Sequence, residues 1–219
     1  VEPGVCPVRD RCPATIIVCH RKPMSESKSR TNTAQDILDV AEMLIQTRGY
    51  NAFSYQDIAV KLDIRKASIH YHFATKTDLG VAVIERYAGQ HETLLGDLMR
   101  DDGISAMGLF ECYTAPYVAF AKTPDRVCLC GALTGEFHAL PAEMQARVAR
   151  FCDAHQTWLT AMLERGLASG DFRFTQVPAR MAAMIFSALQ GALLVRRATG
   201  RAEHLRDVIL GLEAQLAAG

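Results

Sequence analysis

Residues 53–79 read FSYQDIAVKLDIRKASIHYHFATKTDL, and two short helical patterns flank a tight turn within them. Ser54 precedes the first, with Asp57 three residues on as the acidic partner of a capping box. Ile58, Ala59 and Leu62 then share one face, and Leu62, Asp63 and Ile64 make the turn. A second helix is expected over 65–73, anchored by Ile69 and Phe73 four residues apart, before Thr75 caps a long helix from Lys76. The second helix offers side chains suited to a major groove. Arg65 and Lys66 donate to guanine edges or phosphates, Ser68 to either, and Tyr71, His72 and Lys76 to backbone oxygens.

Upstream, Ala34, Ile37, Leu38, Ala41, Leu44 and Ile45 recur at helical steps, with Asn32 or Thr33 placed to cap. Arg48 in the last turn and Gly49 beyond it mark the helix end. Residues 1–23 hold Cys6, Cys12, Cys19 and several prolines without any sustained period, and 25–32 is polar. A disordered tail over 1–30 is expected, with Met24 as a natural start. Cys6, Cys12, Cys19 and His20 match no common zinc spacing, so neither a metal nor a cofactor is expected.

Bulk composition narrows the class without naming it. The chain has 219 residues, 49% of them hydrophobic, enough for one large core or two modest ones. Lys and Arg total 24 against 24 Asp and Glu, so affinity for nucleic acid has to come from local clustering, with Arg65, Lys66 and Lys76 as the cluster. No apolar run approaches the roughly 18 to 20 residues of a membrane span, so no membrane partner is expected and the cytoplasm is the expected location. The seven cysteines contain no C-x-x-C pair, so reduced thiols are expected.

Downstream of Asp78 the pattern is helical throughout and no segment alternates as a strand does, which predicts an all-α fold. Proline at 124, 141 and 178 flags helix starts, breaks are expected at 101–103, 123, 140, 170–177 and 200, and Pro116 is expected to kink the helix over 104–122. Residues 181–195 are apolar on nearly every side, which predicts burial on both faces, and Leu205, Val208, Ile209, Leu212 and Leu216 stripe the last helix. Such a pair packs into a four-helix bundle across a two-fold axis, with Leu189 expected at the seam.

The run at 53–79 strongly resembles the DNA-binding domain of TetR/AcrR-type repressors, with the likeness extending over about 37–79. The matching elements are Asp57-Ile58-Ala59, the turn Leu62-Asp63-Ile64, Arg65-Lys66-Ala67-Ser68-Ile69, Tyr71-His72-Phe73, and Thr75-Lys76 with Leu79. The resemblance implies a three-helix DNA-binding domain (31–80) whose third helix enters the major groove, and a helical effector-binding and dimerisation domain (81–219). It implies a homodimer on a pseudo-palindromic operator, with Ser54, Arg65, Lys66, Ala67, Ser68, His70, Tyr71, His72 and Lys76 as DNA contacts. Two positions depart from the family. Asp63 stands where glycine is usual, at some conformational cost, and Phe53 replaces a threonine, leaving Ser54 to meet the phosphate. CLCGALTGE at 128–136, Trp158-Leu159 and QGALL at 190–194 resemble the family's ligand-binding domain more weakly.

The effector is then read as a small apolar molecule or an electrophile or oxidant. Tyr113, Tyr117, Phe137, Trp158 and Gln190 are expected around an apolar pocket, with His155 as a polar contact. Cys128 and Cys130 are expected in the first turns of a helix opened by Pro124, where the helix dipole favours a thiolate. Arg126 favours Cys130, whereas the resemblance favours Cys128, because a cysteine near that position senses electrophiles or oxidants in some family members. Two residues apart on a helix the two thiols point about 200° from each other, so Cys112 and Cys152 are the available resolving partners. Single cysteines and histidines make no catalytic set, so no enzyme activity is expected; a constitutive DNA-binding protein is the competing reading.

Overall fold

The computed structural model describes residues 33–120, 123 and 125–217. Among them are nine α-helices, one 3-10 turn and no strand: α1 (Thr33–Arg48), α2 (Tyr55–Leu62), α3 (Lys66–His72), α4 (Lys76–Arg100), α5 (Ala106–Phe120), α6 (Leu129–Gly135), α7 (Ala142–Ser169), α8 (Pro178–Thr199) and α9 (Glu203–Ala217). The all-α fold is as expected. The tail at 1–30, with its cysteines, lies outside the described residues.

Each end of the first three helices has a local cause. Gly49 (φ 95°) closes α1 by donating its N–H to the Ile45 carbonyl. Ser54 N and Oγ both donate to Asp57 Oδ2, at 2.8 and 2.7 Å, which holds the start of α2. Asp63 adopts the left-handed conformation (φ 53°) that the turn requires and for which glycine is commoner. At seven residues α3 is too short to persist alone, so tertiary packing must hold it. Fully buried Ile69 supplies that anchor, stabilising by roughly 1.5–3 kcal/mol. Tyr55 adds a polar pin, its hydroxyl within donating distance of the Phe73 (2.9 Å) and Thr75 (2.6 Å) carbonyls.

The long α4 runs from this trihelical unit into the remaining helices and packs most extensively on α7, which in turn packs on α8. One apolar cluster continues from Ile37 to Leu216. Pro141 and Pro178 open helices as expected, and α5 continues through Pro116. The start expected at Pro124 is not found: the next helix begins at Leu129, with Cys128 as its N-cap. Tertiary bonds hold the preceding segment outside the helix. Val127 N donates to the Gln46 carbonyl, the Arg126 guanidinium donates to Gln46 Oε1, and Arg196 donates to the Arg126 carbonyl.

Two expectations for α8 also change. Leu189 is fully buried within its own chain, packed in the common core rather than placed at a seam. Met184, Leu194 and Val195 are exposed, so the helix is buried on one side only in the single chain. By length and composition α8 could cross a membrane. In this fold it buries Met181, Ile185, Leu189 and Leu193 between α7 and α9.

Candidate nucleic-acid interface and effector cavity

With Ile69 pointing inward, 100° per residue places Ala67 and Tyr71 on the opposite side of α3. Tyr71 is 85% exposed, and Arg65, Lys66, Ala67, His70 and His72 are exposed with it, while Ser68 is half-buried. Thr33, Ile64, Arg65, Ala67, Ser68, Tyr71 and His72 line a shallow open concavity on this surface. The small Ala67 leaves room for the helix to approach a groove closely.

Three of the expected contacts have partners inside the protein. Lys76 Nζ donates to the Phe53 carbonyl at 2.6 Å and lies 4.5 Å from the ring centroids of both Tyr50 and Phe53. Burial lowers its ammonium pKa against the opposing charges of Glu136 and Asp57. Lys76 thus clamps the α1–α2 loop to the start of α4. Phe53, read from sequence as a lost phosphate contact, supplies the face of that clamp. His70 Nδ1 lies 3.1 Å from the Ala74 carbonyl with its ring edge on Tyr55. Ser54 is committed to Asp57, whose carboxyl these bonds hold below its ordinary range. Among the expected contacts on this surface, the exposed cations are Arg65 and Lys66.

The second site is a cavity of about 20 Å³ between α4, α5, α7 and the Cys128 segment. Tyr87, Tyr113, Tyr117, Phe120 and Phe151 give it aromatic walls, His91, His155 and Cys128 give it polar ones, and Cys112 and Pro116 complete the α5 side. Of the residues expected around a pocket, Tyr113, Tyr117, His155 and Cys128 do meet here. Gln190 stands one layer out and donates from Nε2 to the Tyr117 hydroxyl at 3.1 Å. Trp158 lies behind the wall, stacked on Tyr113 and donating to the Leu95 carbonyl. Phe137 lies elsewhere, on the 3-10 turn against His138, and Cys130 faces α7 beside Cys152. Sequence reading missed Tyr87, His91 and Phe151; Tyr87 and His91, four apart on α4, carried an inward-facing signal that an aromatic stripe shares with ordinary core.

Several polar atoms in the cavity are bonded within the protein, and one fully buried nitrogen is not. His91 Nδ1 donates to the Tyr87 carbonyl at 2.8 Å, and the Tyr87 hydroxyl lies 3.6 Å from Cys128 Sγ. Tyr113 Oη lies 3.0 Å from His155 Nδ1, and His155 Nε2 is buried without a partner. Burial, opposed by the Tyr87 carbonyl, lowers His91 from 6.5 to about 4; burial followed by the charge of His91 lowers His155 from 6.5 to about 3. Both rings are therefore neutral when folded, whereas the unfolded chain takes up protons as the pH drops below 6.5. The sign follows: stability is whole above that pH and is lost as the pH falls toward the two folded values. The urea midpoint should drop between about pH 7.5 and pH 5 with its slope unchanged, and His155→Phe should flatten the drop. Equal pH dependence in variant and parent would remove His155 from this account.

The two sites are mechanically joined. The segment leading from Cys128 through α6 ends at Glu136, whose Oε2 accepts from Asn51 N (3.0 Å) and Asn51 Nδ2 (2.7 Å) just beyond α1. With the Gln46 bonds at its other end, this segment touches the cavity on one side and the DNA-binding helices on the other. Among the described residues no group of three or more His, Cys, Asp or Glu is placed to hold a metal ion.

Comparison with known proteins agrees with this architecture. The profile of "Bacterial regulatory proteins, tetR family" matches residues 37–83, and that of "Tetracyclin repressor-like, C-terminal domain" matches 111–212. A crystal structure of a TetR transcriptional regulator from Legionella pneumophila is 33% identical, covers 85% of this chain and 98% of its own, and superposes with a TM-score of 0.74. A TetR-family transcriptional regulator from Agrobacterium tumefaciens is 31% identical over 84% of this chain and 97% of its own, with a TM-score of 0.79. The HTH-type transcriptional repressor NemR of Escherichia coli is 23% identical over 180 residues, covering 81% of this chain and 90% of NemR.

Proposed function

This chain belongs to the tetR family of bacterial regulatory proteins and is a DNA-binding regulator of transcription, and from that premise we propose a homodimeric repressor released from a pseudo-palindromic operator by an effector in the aromatic cavity. The observation that carries the DNA side is α3, anchored by Ile69, with Arg65, Lys66, Ala67, Ser68, His70, Tyr71 and His72 turned outward or to the rim. Residues 31–80 serve as the DNA-binding domain and 81–219 as the effector and dimerisation domain, acting in the cytoplasm. Ser54 and Lys76 support the reading helix from behind. The relatives are regulators, and the sites are read as binding sites rather than catalytic ones.

The cavity's bonding pattern defines an effector class. Gln190 donates to the Tyr117 hydroxyl, and the Tyr113 hydroxyl, with His155 Nδ1 as its partner, is read as the donor to that nitrogen. His155 then carries its proton on Nε2, a buried donor without an acceptor. A flat, largely apolar molecule bearing a carbonyl or similar acceptor would satisfy it, and Cys128 on the wall makes an electrophilic version a fitting ligand. At about 20 Å³ the cavity has room for little more than a water, so such a molecule has to enlarge it. That enlargement gives the effector unequal affinity for two states, the condition for moving an equilibrium.

The test uses duplex DNA selected from a random pool by the protein itself. Lys66→Ala should weaken binding and lower the salt slope by about one unit, as for one lost phosphate contact. Lys76→Ala should leave the slope alone and lower the unfolding midpoint. A parental slope in Lys66→Ala would remove Lys66 from the interface, and failure to enrich any duplex would overturn the regulatory reading.

A further inference from the structure

We infer that Cys130 and Cys152 form a dithiol site, separate from the aromatic cavity, that a peroxide converts to a disulfide within one chain. Cys130 on α6 and Cys152 on α7 place their Sγ atoms 3.8 Å apart. A disulfide requires about 2.05 Å, so the sulfurs have to close by roughly 1.8 Å, within reach of a side-chain rotation and a small slide of the two-turn α6. Neither cysteine lines the cavity that holds Cys128.

The surroundings assign the two roles. Cys112, Cys128 and Cys130 are buried, and Cys152 is the one of the four described cysteines that is partly open to solvent. The Cys130 thiol bonds to Cys152 Sγ and favours its thiolate, against burial and the neighbouring Asp153. Cys130 is held in its thiol form by that bond and by burial. Cys152 is thus the sulfur that meets the oxidant, and Cys130 is the one that resolves it.

In the first step Cys152 thiolate attacks a peroxide ROOH. An S–O bond forms, the O–O bond breaks, and the departing alkoxide takes up a proton as ROH, leaving Cys152 as sulfenic acid. In the second, Cys130 sulfur attacks Cys152 sulfur. The S–S bond forms, the S–O bond breaks, and the hydroxide leaves as water with the Cys130 proton. Two thiols and one peroxide give one disulfide, ROH and water.

A consequence for DNA binding follows from α6. Drawing Cys130 toward α7 moves the helix that ends at Glu136, and Glu136 holds Asn51 beside the DNA-binding helices. That consequence rests on the regulatory reading above; the disulfide does not.

The full chain is treated with hydrogen peroxide, alkylated and digested with trypsin, which leaves Cys128 and Cys130 on peptide 127–147 and Cys152 on peptide 151–165. The expected product is the two peptides joined with a loss of about 2 Da, assigned to Cys130 by fragmentation and unchanged in Cys128→Ser. Cys130→Ala should stop at a Cys152 sulfenic acid that dimedone traps, and Cys152→Ala should give neither link nor label at Cys130. A link through Cys128, a link between chains, or dimedone on Cys130 in Cys152→Ala would each overturn the assignment. Affinity for the DNA selected by reduced protein should change about fivefold or more on oxidation. An unchanged affinity would refute the coupling through Glu136, whereas failure to select DNA would refute the regulatory reading and leave the peptide link to be judged separately.

Discussion

A Met184→Asp, Val195→Asp double variant is expected to sediment as a monomer and to lose operator affinity by at least about a hundredfold, the factor that separates joined from independent binding of two sites. The two residues are 44% and 40% exposed in the single chain, so the fold does not depend on burying them. Four-, three- and four-residue steps from Met184 reach Ala188, Gly191 and Val195, a stripe along one side of α8 with exposed Leu194 beside it. A Cβ added at Gly191 would meet nothing within 4 Å, so a second helix can approach closely there. On α9, Leu210 is 53% exposed. The proposed isologous pairing of this α8–α9 face would cover these apolar side chains, and four aspartates at its centre would be buried without partners. The loss of affinity follows from the proposed dimer, in which each α3 would read one half-site, with half-sites about 34–36 Å apart along the duplex. Binding to an isolated half-site should be unchanged. A variant that remains dimeric would place the interface elsewhere. Lost helicity would show that α8 needs these positions for its own fold, contrary to their exposure.

The contrast with Leu189 shows where sequence reading reached its limit. Periodicity made 181–195 a buried helix but could not divide its apolar sides between its own core and a partner, and Leu189 belongs to the core. The DNA-binding unit was far more legible, because its instructions are local: Ser54 with Asp57, Asp63 in the turn, Ile69 inward, Thr75 with Asp78. Even there, Lys76 reads from sequence as a phosphate contact, since the aromatic pair and the carbonyl that capture it lie more than twenty residues upstream. The start of α6 was misplaced for the same reason. Its position depends on Gln46, eighty residues earlier, which bonds 126 and 127 outside the helix. Sequence offers Cys112 and Cys152 alike as partners for Cys128 or Cys130; that Cys152 faces Cys130 is a product of helix packing.

Gly49→Ala tests the joint between the two sites and should cost about 2–4 kcal/mol, lowering the melting temperature by roughly 5–10 °C for a chain of this size. Two causes combine. Gly49 has φ 95°, where a side chain adds about 1–2 kcal/mol of strain. Its Cβ would also stand 1.7 Å from Glu136 Oε1, so the carboxylate has to leave Asn51, giving up two charge-assisted bonds worth about 1–2 kcal/mol together at an exposed site. Glu136→Ala alone forfeits only those bonds. Adding Gly49→Ala to it then costs only the strain, because the clash has gone. The double variant should therefore be about as stable as Gly49→Ala alone, a non-additivity of about 1–2 kcal/mol measurable by urea unfolding. Strict additivity would mean that Glu136 does not depend on the approach Gly49 permits. Glu136→Ala should meanwhile bind operator nearly as well as the parent, since α3 is untouched, yet lose the change in affinity that closing Cys130 onto Cys152 produces. Retention of that change would place the coupling in the Gln46 bonds instead.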